Sequence, residues 1–296
     1  MRALVLGGGG AKGAFQAGAF KYLAEKGESF EIISGTSVGS LNGSFLAQYK
    51  LGQEMQAAED LVELWKETST KTVYHKWYYG VLGRLPFFLP TWLGGRTGMY
   101  NPAPLRKMLD SKLDVDRILS SGHKLRVSAI NINTGELFVW SETDSLVLRQ
   151  AVLSSSSYPP AFPPVSIDGV DYLDAGAREI IPVEAAIRAG ATDITVIACS
   201  PYNVVGNLPK KPTGLDVALR TIDASGVEIE KWDLKAVELF NALVESGHPL
   251  AAGMSHIKMR VIRPRQALLD DTLDFDPARI RTNMDRGYAT ASEMLY

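Results

Sequence analysis

The sequence predicts an α/β protein in which helices cover a largely parallel β-sheet. Short β-rich runs alternate with helical patterns along the 296 residues, and this alternation is typical of parallel strands joined by helices. The chain is 46% hydrophobic and 22% charged, which are ordinary values for a globular protein with a sizeable core. We find no internal repeat and no convincing linker, so we expect residues 1–296 to form a single domain.

The first part of the chain supplies two strands and three helices. Apolar runs predict strands over residues 2–6 and 30–34. A helix is predicted over residues 12–26, where Gly27 ends it. A further amphipathic helix is predicted over residues 52–69. Between the second strand and that helix, apolar side chains at helical spacing indicate one more helix, with Val38, Leu41, Phe45, Leu46 and Tyr49 on one face.

The pattern breaks over residues 73–104, which are dense in aromatic residues, glycine and proline and have no steady period. Trp77, Tyr78, Phe87, Phe88 and Trp92 lie in this segment. One interpretation is a lipid-facing lid or loop, whose aromatic side chains suit an interface. The other is an irregular segment folded back on the core. The sequence leaves both open.

Regular structure is expected to resume with a hairpin over residues 124–141, turned at residues 133–135. A helix is predicted over residues 145–157, and a second hairpin over residues 165–174 has Asp168 and Gly169 at its turn. The rest of the chain is predicted to contain a helix over residues 182–189, strands over 193–200 and 256–264, and helices after Gly214 and Pro277.

Charge and cysteine content exclude several classes of site. The formal net charge is −2 and no basic run occurs, so nothing favours nucleic-acid binding. Cys199 is the only cysteine, which excludes a disulfide framework or a cysteine-based zinc site within one chain. The first apolar run is too short for a secretory signal, and no stretch approaches the roughly 20 apolar residues of a membrane-spanning helix. We therefore expect a cytoplasmic protein without a transmembrane anchor.

The stretch "GGGAKG", residues 8–13, lies between a predicted strand and a predicted helix and satisfies the pattern G-x-G-x-x-G. A dinucleotide site also requires an acidic residue at the end of the second strand. The second strand ends instead in "SGTSVG", and Glu31 lies at its start. No Gly-Lys-Ser/Thr follows, so a phosphate-binding P-loop is not matched either. A dinucleotide-binding oxidoreductase remains an alternative.

A second glycine motif, "GTSVG" from Gly35 to Gly39, follows the next predicted strand and has the pattern G-x-S-x-G. Small flanking residues allow a sharp turn that exposes Ser37 as a nucleophile. If the first two strands are neighbours, the backbone amides of Gly8, Gly9 and Gly10 lie close to Ser37 and can hold a transient oxyanion. The alternative is a plain strand-to-helix turn with Ser37 as a helix cap.

A serine nucleophile needs a base. His248 or His256 would give the chain order of an α/β-hydrolase triad, but only one strand and one helix precede Ser37. We favour structural roles for these two histidines, as a helix cap and at the opening of a strand. The preferred candidate base is Asp174, in "YLDAGA" at the end of a hairpin strand, because direct contact in a partly dry site can compensate for the weaker basicity of a carboxylate.

These residues resemble the patatin-like phospholipase family. Its glycine-rich segment matches Gly8 to Gly13, including Lys12, and its nucleophile motif matches Gly35 to Gly39. Its serine- and proline-containing block is similar to residues 154–164, and its aspartate motif matches Asp174 to Gly176. The four blocks follow one another in the family's order.

The resemblance implies a three-layer α/β/α sandwich with a mostly parallel central sheet. It also implies a dyad of Ser37 and Asp174 and hydrolysis of phospholipid or lysophospholipid esters through an acyl-enzyme, without calcium or another cofactor. The implied partner is a lipid ester at a membrane or micelle surface. Two departures from the family pattern are Ala175 after the aspartate and Ile180-Ile181 where many members carry an asparagine before the proline. A catalytically weak lipid-binding protein is therefore a further alternative.

Overall fold

The computed structural model describes residues 1–76, 97–203, 214–269 and 271–294. Most of the aromatic-rich segment, including Trp77, Tyr78, Phe87, Phe88 and Trp92, lies outside the described residues. Ten strands are found in the described part of the chain: β1 (Arg2–Leu6), β2 (Ile32–Thr36), β3 (His75–Lys76), β4 (Tyr100–Asn101), β5 (Lys124–Asn131), β6 (Leu137–Ser141), β7 (Val165–Ile167), β8 (Val170–Asp174), β9 (Asp193–Ile197) and β10 (Lys258–Ile262).

The main sheet has the order β10-β9-β1-β2-β5-β8-β7, and β6 also pairs with β5. The five strands from β10 to β5 are mutually parallel, whereas β6, β7 and β8 form antiparallel pairs. Strands β1 and β2 are neighbours, with Leu6 opposite Gly35. The predicted α/β class with a mostly parallel sheet is confirmed. Strand β2 begins two residues later than the sequence predicted.

Helices lie on both faces of this sheet. In the described part of the chain they are α1 (Gly13–Glu25), α2 (Val38–Leu46), α3 (Glu54–Glu67), α4 (Thr70–Val73), α5 (Ala103–Lys112), α6 (Val115–Ser121), α7 (Leu148–Ser155), α8 (Val183–Arg188), α9 (Gly214–Glu245) and α10 (Pro277–Met294).

Alternation along β1 builds the two cores. Leu4 and Leu6 join the apolar cluster formed with α1, α2, α3 and α10, whereas Ala3 and Val5 join the cluster formed with α8 and α9. Side chains of successive strand residues point to opposite faces, so a strand buried on both faces requires a continuous apolar run, as "RALVL" provides. The result is the three-layer sandwich that the resemblance implied.

Helices α5 and α6 were not predicted from the sequence. Pro102 and Pro104 mark the start of α5 and fall within residues 73–104, for which the sequence predicts irregular structure. Proline is compatible with the first turn of a helix, where its missing N–H has no intrahelical partner. Leu105 and Leu109 follow at helical spacing and are both buried. The misassignment matters because α5 forms one wall of the main cavity.

Candidate active site

Ser37 forms the turn between β2 and α2. Its backbone angles, φ 57° and ψ −128°, lie in a region that residues other than glycine rarely adopt. A Cβ on Gly39 would overlap the carbonyl oxygen of Leu6, and one on Gly35 would overlap that of Gly39. The Ser37 side chain makes no capping hydrogen bond to α2, contrary to the helix-cap alternative, and Ser37 lines the main cavity. The G-x-S-x-G pattern is therefore explained by close packing around a strained serine.

The glycine loop follows β1, which pairs with β2. Gly8, Gly9 and Gly10 all line the same cavity as Ser37. Gly8 donates its N–H to the carbonyl oxygen of Ile180 at 3.0 Å, whereas no hydrogen bond from the N–H of Gly9 or Gly10 is found within the described ranges. The three glycines, which the sequence suggested as equivalent donors, thus differ. The N–H groups of Gly9 and Gly10 are available to a ligand, and that of Gly8 already serves the backbone.

The two remaining residues of the glycine motif, Lys12 and Gly13, have different surroundings. Lys12 lines the cavity and stands near enough to Cys199 to exert an electrostatic effect on its thiol. Gly13 is the first residue of α1, and a Cβ there would overlap the side chain of Val38. Gly13 therefore allows α1 to approach the start of α2, directly beside Ser37.

A series of buried hydrogen bonds between side chains supports the glycine loop. The side-chain amide of Gln16 donates to the carbonyl oxygen of Gly7 at 2.7 Å, and that of Asn42 donates to Gln16 Oε1 at 2.9 Å. The indole N–H of Trp65 donates to Asn42 Oδ1 at 2.9 Å. Sequence reasoning missed these residues. The sequence signal for them was an amide side chain on the buried face of each of two helices rich in small residues. Such a side chain predicts a hydrogen-bonded partner, because buried polar groups are nearly always hydrogen-bonded.

Asp174 ends β8 and is only 2% exposed. Gly176 donates its backbone N–H to Asp174 Oδ1 at 2.8 Å. Burial raises the pKa of Asp174 to about 6, although the Ser37 hydroxyl and the Gly176 amide both act to lower it. The contact with Ser37 is loose, because Oδ2 has no partner in full hydrogen-bonding geometry among the described residues. Such contacts often tighten only when substrate binds.

The serine block at the end of α7 connects the loops of Ser37 and Asp174. Ser155 Oγ accepts the backbone N–H of Ser37 at 2.9 Å, and Ser156 Oγ donates to the carbonyl oxygen of Ser37 at 3.3 Å. The carbonyl oxygen of Ser157 accepts the N–H of Asp174 at 3.2 Å. In the sequence this block was only part of the family resemblance. In the structure it holds both candidate catalytic residues.

Asp233 of α9 supports the segment after Asp174. Its Oδ2 accepts the backbone N–H groups of Ile180 and Ile181, both at 2.8 Å. Ile180 in turn accepts the N–H of Gly8, so α9 is connected to the glycine loop through a single residue. These contacts hold the position at which the sequence departs from the family pattern. An acidic residue on the core-facing side of an amphipathic helix was the available signal, because buried carboxylates usually have partners.

The histidines lie away from this cluster. His248 Nδ1 accepts the N–H of Leu250 at 3.2 Å in an exposed turn, and His256 pairs with Glu245 on the surface. His123 is buried against the carbonyl oxygen of Phe30. All four histidines fall within the described ranges, and none of them lines the cavity. The arrangement therefore brings Ser37 next to Asp174 and leaves the triad alternative without a histidine.

Ser37 and Asp174 share a cavity of about 600 Å³. Its lining residues on α2 and α5 recur at helical spacing, so the cavity extends along these helices away from Ser37. The walls are mostly apolar and include Leu41, Phe45, Leu64, Leu105, Met108 and Leu109. A cleft of this size and character is typical of a small-molecule site with a few convergent polar groups.

Comparison with known families agrees with this geometry. The family model for patatin-like phospholipases matches residues 4–187, which is more than half of the chain and includes Ser37 and Asp174. The chain belongs to the patatin-like phospholipase family. This places the patatin-like protein among lipid acyl hydrolases.

Relatives of this patatin-like protein vary in length. YqhO of Bacillus subtilis, described as uncharacterized, is 26% identical over 255 residues, which cover 82% of this chain and 78% of YqhO. The patatin-like phospholipase domain-containing protein ZK370.4 of Caenorhabditis elegans is 28% identical over 66% of this chain but only 13% of its own length. Lysophospholipase nte1 of Aspergillus terreus is 53% identical over 45 residues, or 15% of this chain and 3% of that protein.

Among solved structures, VipD from Legionella pneumophila aligns with 99% of this patatin-like chain and 66% of its own, at 16% identity and a TM-score of 0.48. Within the described ranges, no helix combines the length and the apolar character needed to cross a bilayer.

Proposed function

We propose that this protein hydrolyses fatty-acyl esters of phospholipids or lysophospholipids, with Ser37 as nucleophile and Asp174 as general base. The observation that carries the proposal is the meeting of Ser37, Asp174, Gly9 and Gly10 in one apolar cavity, where the amides of the two glycines have no partner among the described residues. The family supplies the class of reaction, and the names of the lysophospholipase relatives favour a lipid substrate.

The acylation step begins when Asp174 takes the hydroxyl proton of Ser37. The Oγ atom of Ser37 attacks the ester carbonyl carbon, and the carbonyl oxygen becomes an oxyanion. The backbone N–H groups of Gly9 and Gly10 donate to this oxyanion, and the adjacent N-terminus of α2 adds a favourable dipole. As the tetrahedral intermediate collapses, Asp174 gives its proton to the leaving alcohol oxygen. The products of this step are the acyl-enzyme and the deacylated alcohol, which is a lysophospholipid when the substrate is a phospholipid and a glycerophosphodiester when it is a lysophospholipid.

Deacylation uses the same groups in reverse. Asp174 deprotonates a water molecule, which attacks the acyl carbonyl carbon. The same amides hold the second oxyanion, and the Oγ atom of Ser37 leaves with the proton from Asp174. The fatty acid is released and the enzyme returns to its starting state.

Burial makes Asp174 a better base than an exposed aspartate. Burial raises the pKa of Asp174 to about 6. This value is closer to neutral pH than that of an exposed aspartate, so the driving force for proton abstraction is larger. The Gly176 amide still stabilises the ionised form through Oδ1. The carboxylate is thus moderately basic and remains largely ionised at neutral pH.

The apolar wall of the cavity suits a fatty-acyl chain. Leu41 and Phe45 continue the face of α2 that begins beside Ser37, and Leu105 and Leu109 of α5 line the same cavity. An acyl chain along these helices places its ester carbonyl at Ser37, in a cavity that Lys12 also lines. We propose this channel as the site of the acyl chain.

A fluorophosphonate probe tests the nucleophile directly. We expect one equivalent of probe to attach to Ser37, with no attachment in Ser37→Ala, and the wild-type protein to hydrolyse p-nitrophenyl butyrate and at least one lysophospholipid or phospholipid. Intact-mass and peptide mass spectrometry locate the label, and released fatty acid measures turnover over a substrate panel. Labelling at a residue other than Ser37, or no turnover on any ester, would contradict the proposal.

Turnover is expected to fall as the pH decreases through about 6. The reason is that the active form of Asp174 is the carboxylate and that burial raises its pKa to about 6. The pH profile of kcat/KM on a soluble ester measures this limb, because it reports groups of the free enzyme.

Two of the other carboxyl groups whose pKa is raised by burial provide controls. Burial raises the pKa of Glu179 and that of Glu230 to about 7. We expect the acidic limb to persist in Glu179→Gln and Glu230→Gln. Loss of the limb in either variant would assign the titration to that residue instead of Asp174.

A further inference from the structure

The long helix α9 carries an apolar row on the face opposite the protein core. Its core-facing side includes Glu230 and Val237, which are both buried. The outer row has the spacing of one helical face. We call it the outer stripe, and it consists of Ile222, Ile229, Trp232, Ala236, Leu239 and Leu243.

Several side chains of the outer stripe are unusually exposed for their size. Trp232 is 62% exposed and Leu239 is 52% exposed. From Ile222 to Leu243 the stripe spans roughly 30 Å at 1.5 Å per residue. Several large apolar side chains exposed along one helix face mark a docking site for a partner or a membrane more often than an ordinary surface.

The outer stripe begins at the rim of the active-site cavity. Ile222 is 39% exposed and also lines the cavity, together with Val227 on the next turn. Ile222 therefore belongs both to the outer stripe and to the wall of the cavity that contains Ser37. A lipid that leaves an aggregate at this rim can reach the cavity while its acyl chain stays in contact with apolar groups.

We propose that the outer stripe of α9 docks on a lipid surface and delivers substrate to the cavity rim at Ile222. The delivery rests on the proposed hydrolase function, whereas docking can be measured without turnover. Trp232 suits the role, because an indole ring places an apolar body in lipid and keeps a polar N–H at the interface.

The charges beside the outer stripe are balanced, which indicates the kind of lipid surface. Glu228 pairs with Lys231 at 2.7 Å, and Lys235 and Glu238 follow on the next turn. This mixture gives no strong attraction to anionic headgroups, which would require an excess of basic residues. Docking is therefore driven by burial of the stripe, and a zwitterionic surface is sufficient.

A second copy of this chain is the competing occupant, since the spacing of the outer stripe also suits a partner helix. A helix that covered the stripe over its full length would also cover Ile222 and obstruct the cavity rim. A lipid surface supplies substrate at that same rim. For this reason we assign the stripe to lipid.

The test uses the full chain with the double substitution Trp232→Glu and Leu239→Glu. Neither residue lines the cavity. Affinity for phosphatidylcholine vesicles, measured by co-sedimentation, is expected to fall roughly 10- to 100-fold, because two large side chains no longer gain from burial in lipid. Turnover of soluble p-nitrophenyl butyrate is expected to change less than twofold. Leu146→Glu is the matched control, because Leu146 is 98% exposed and lies far from α9 in the chain.

A fluorescent probe locates the contact independently of the double variant. Cys199 is buried, and burial raises the pKa of its thiol, so it competes poorly for a thiol reagent. An environment-sensitive fluorophore on Ser225→Cys, which lies on the same face between Ile222 and Ile229, is expected to shift to the blue when vesicles are added. The same fluorophore on Leu146→Cys should not shift.

The possible outcomes separate the two proposals. Unchanged vesicle affinity in the double variant, or a wild-type dimer that this variant dissociates, would overturn lipid docking. Docking through the stripe without turnover of any ester would support the surface and contradict the hydrolase. A folded double variant that keeps ester turnover but loses vesicle binding supports both.

Discussion

Asp174→Asn is expected to lower ester turnover by about 10³-fold or more while the protein stays folded. An asparagine amide cannot accept the proton of Ser37, and a positioned general base typically contributes 10²- to 10⁴-fold. Asparagine has nearly the same shape as aspartate, and its side-chain carbonyl oxygen can still accept the Gly176 N–H. Ser37→Ala should remove turnover more completely, because no acyl-enzyme can form.

Stability gives this experiment an internal control. The pKa of Asp174 is raised by burial to about 6, so the native state binds the proton more tightly than the unfolded state does. This contribution to stability is present at low pH and decreases as the pH rises through about 6. At pH 8 the melting temperature of the Asp174→Asn variant should therefore be no lower than that of the wild type, because asparagine stays neutral. Reduced turnover at an unchanged melting temperature would show that the substitution affects the catalytic step and not the stability of the fold.

Two histidine variants complete the test of the dyad. His248→Ala and His256→Ala should keep near-normal turnover, because both side chains lie outside the cavity. Turnover lost in either folded variant would restore the triad hypothesis. Near-normal turnover in Asp174→Asn would remove this aspartate from the mechanism.

Gly9→Ala is expected to lower kcat by roughly 10²-fold, the effect typical of losing one oxyanion donor. The φ of Gly9 is 161°, outside the left-handed region, and the expected cause is the lack of space for a Cβ. A Cβ at this position would overlap the Cβ of Cys199 and approach its Sγ at 3.0 Å. Relief of this overlap moves the loop that carries the Gly9 and Gly10 amides.

The kinetic signature distinguishes an oxyanion donor from a binding residue. The full negative charge exists only in the transition state, so KM for a soluble ester should change much less than kcat. A matched double variant, Gly9→Ala with Cys199→Gly, removes the overlapping atoms and should recover part of the lost turnover. A dinucleotide site would lose cofactor affinity instead. Unchanged turnover in folded Gly9→Ala would show that these amides do not hold the oxyanion.

The strand–turn–helix units of the site could be predicted because their signals are local. Apolar runs, glycine spacing and helical periodicity act over a few neighbouring residues, and they place Ser37 between β2 and α2. The parallel pairing of β1 with β2, on which the oxyanion hypothesis depended, is confirmed. Asp174 required the family resemblance as well as its small-residue turn. The extent of the domain over residues 1–296 and the cellular compartment stay predictions.

What the sequence alone determined, then, was the fold class, the sharp turn at Ser37, the glycine loop and the short list of candidate bases. Only the tertiary structure decided that the Gly8 amide already has a partner, because that partner is Ile180, far along the chain. It also decided that Ser155 holds Ser37 across a separation of 118 residues and that Asp233 accepts the backbone N–H groups of Ile180 and Ile181. Each contact joins groups that meet only after the helices have packed on the sheet, where a buried polar atom must find a partner or lose stability.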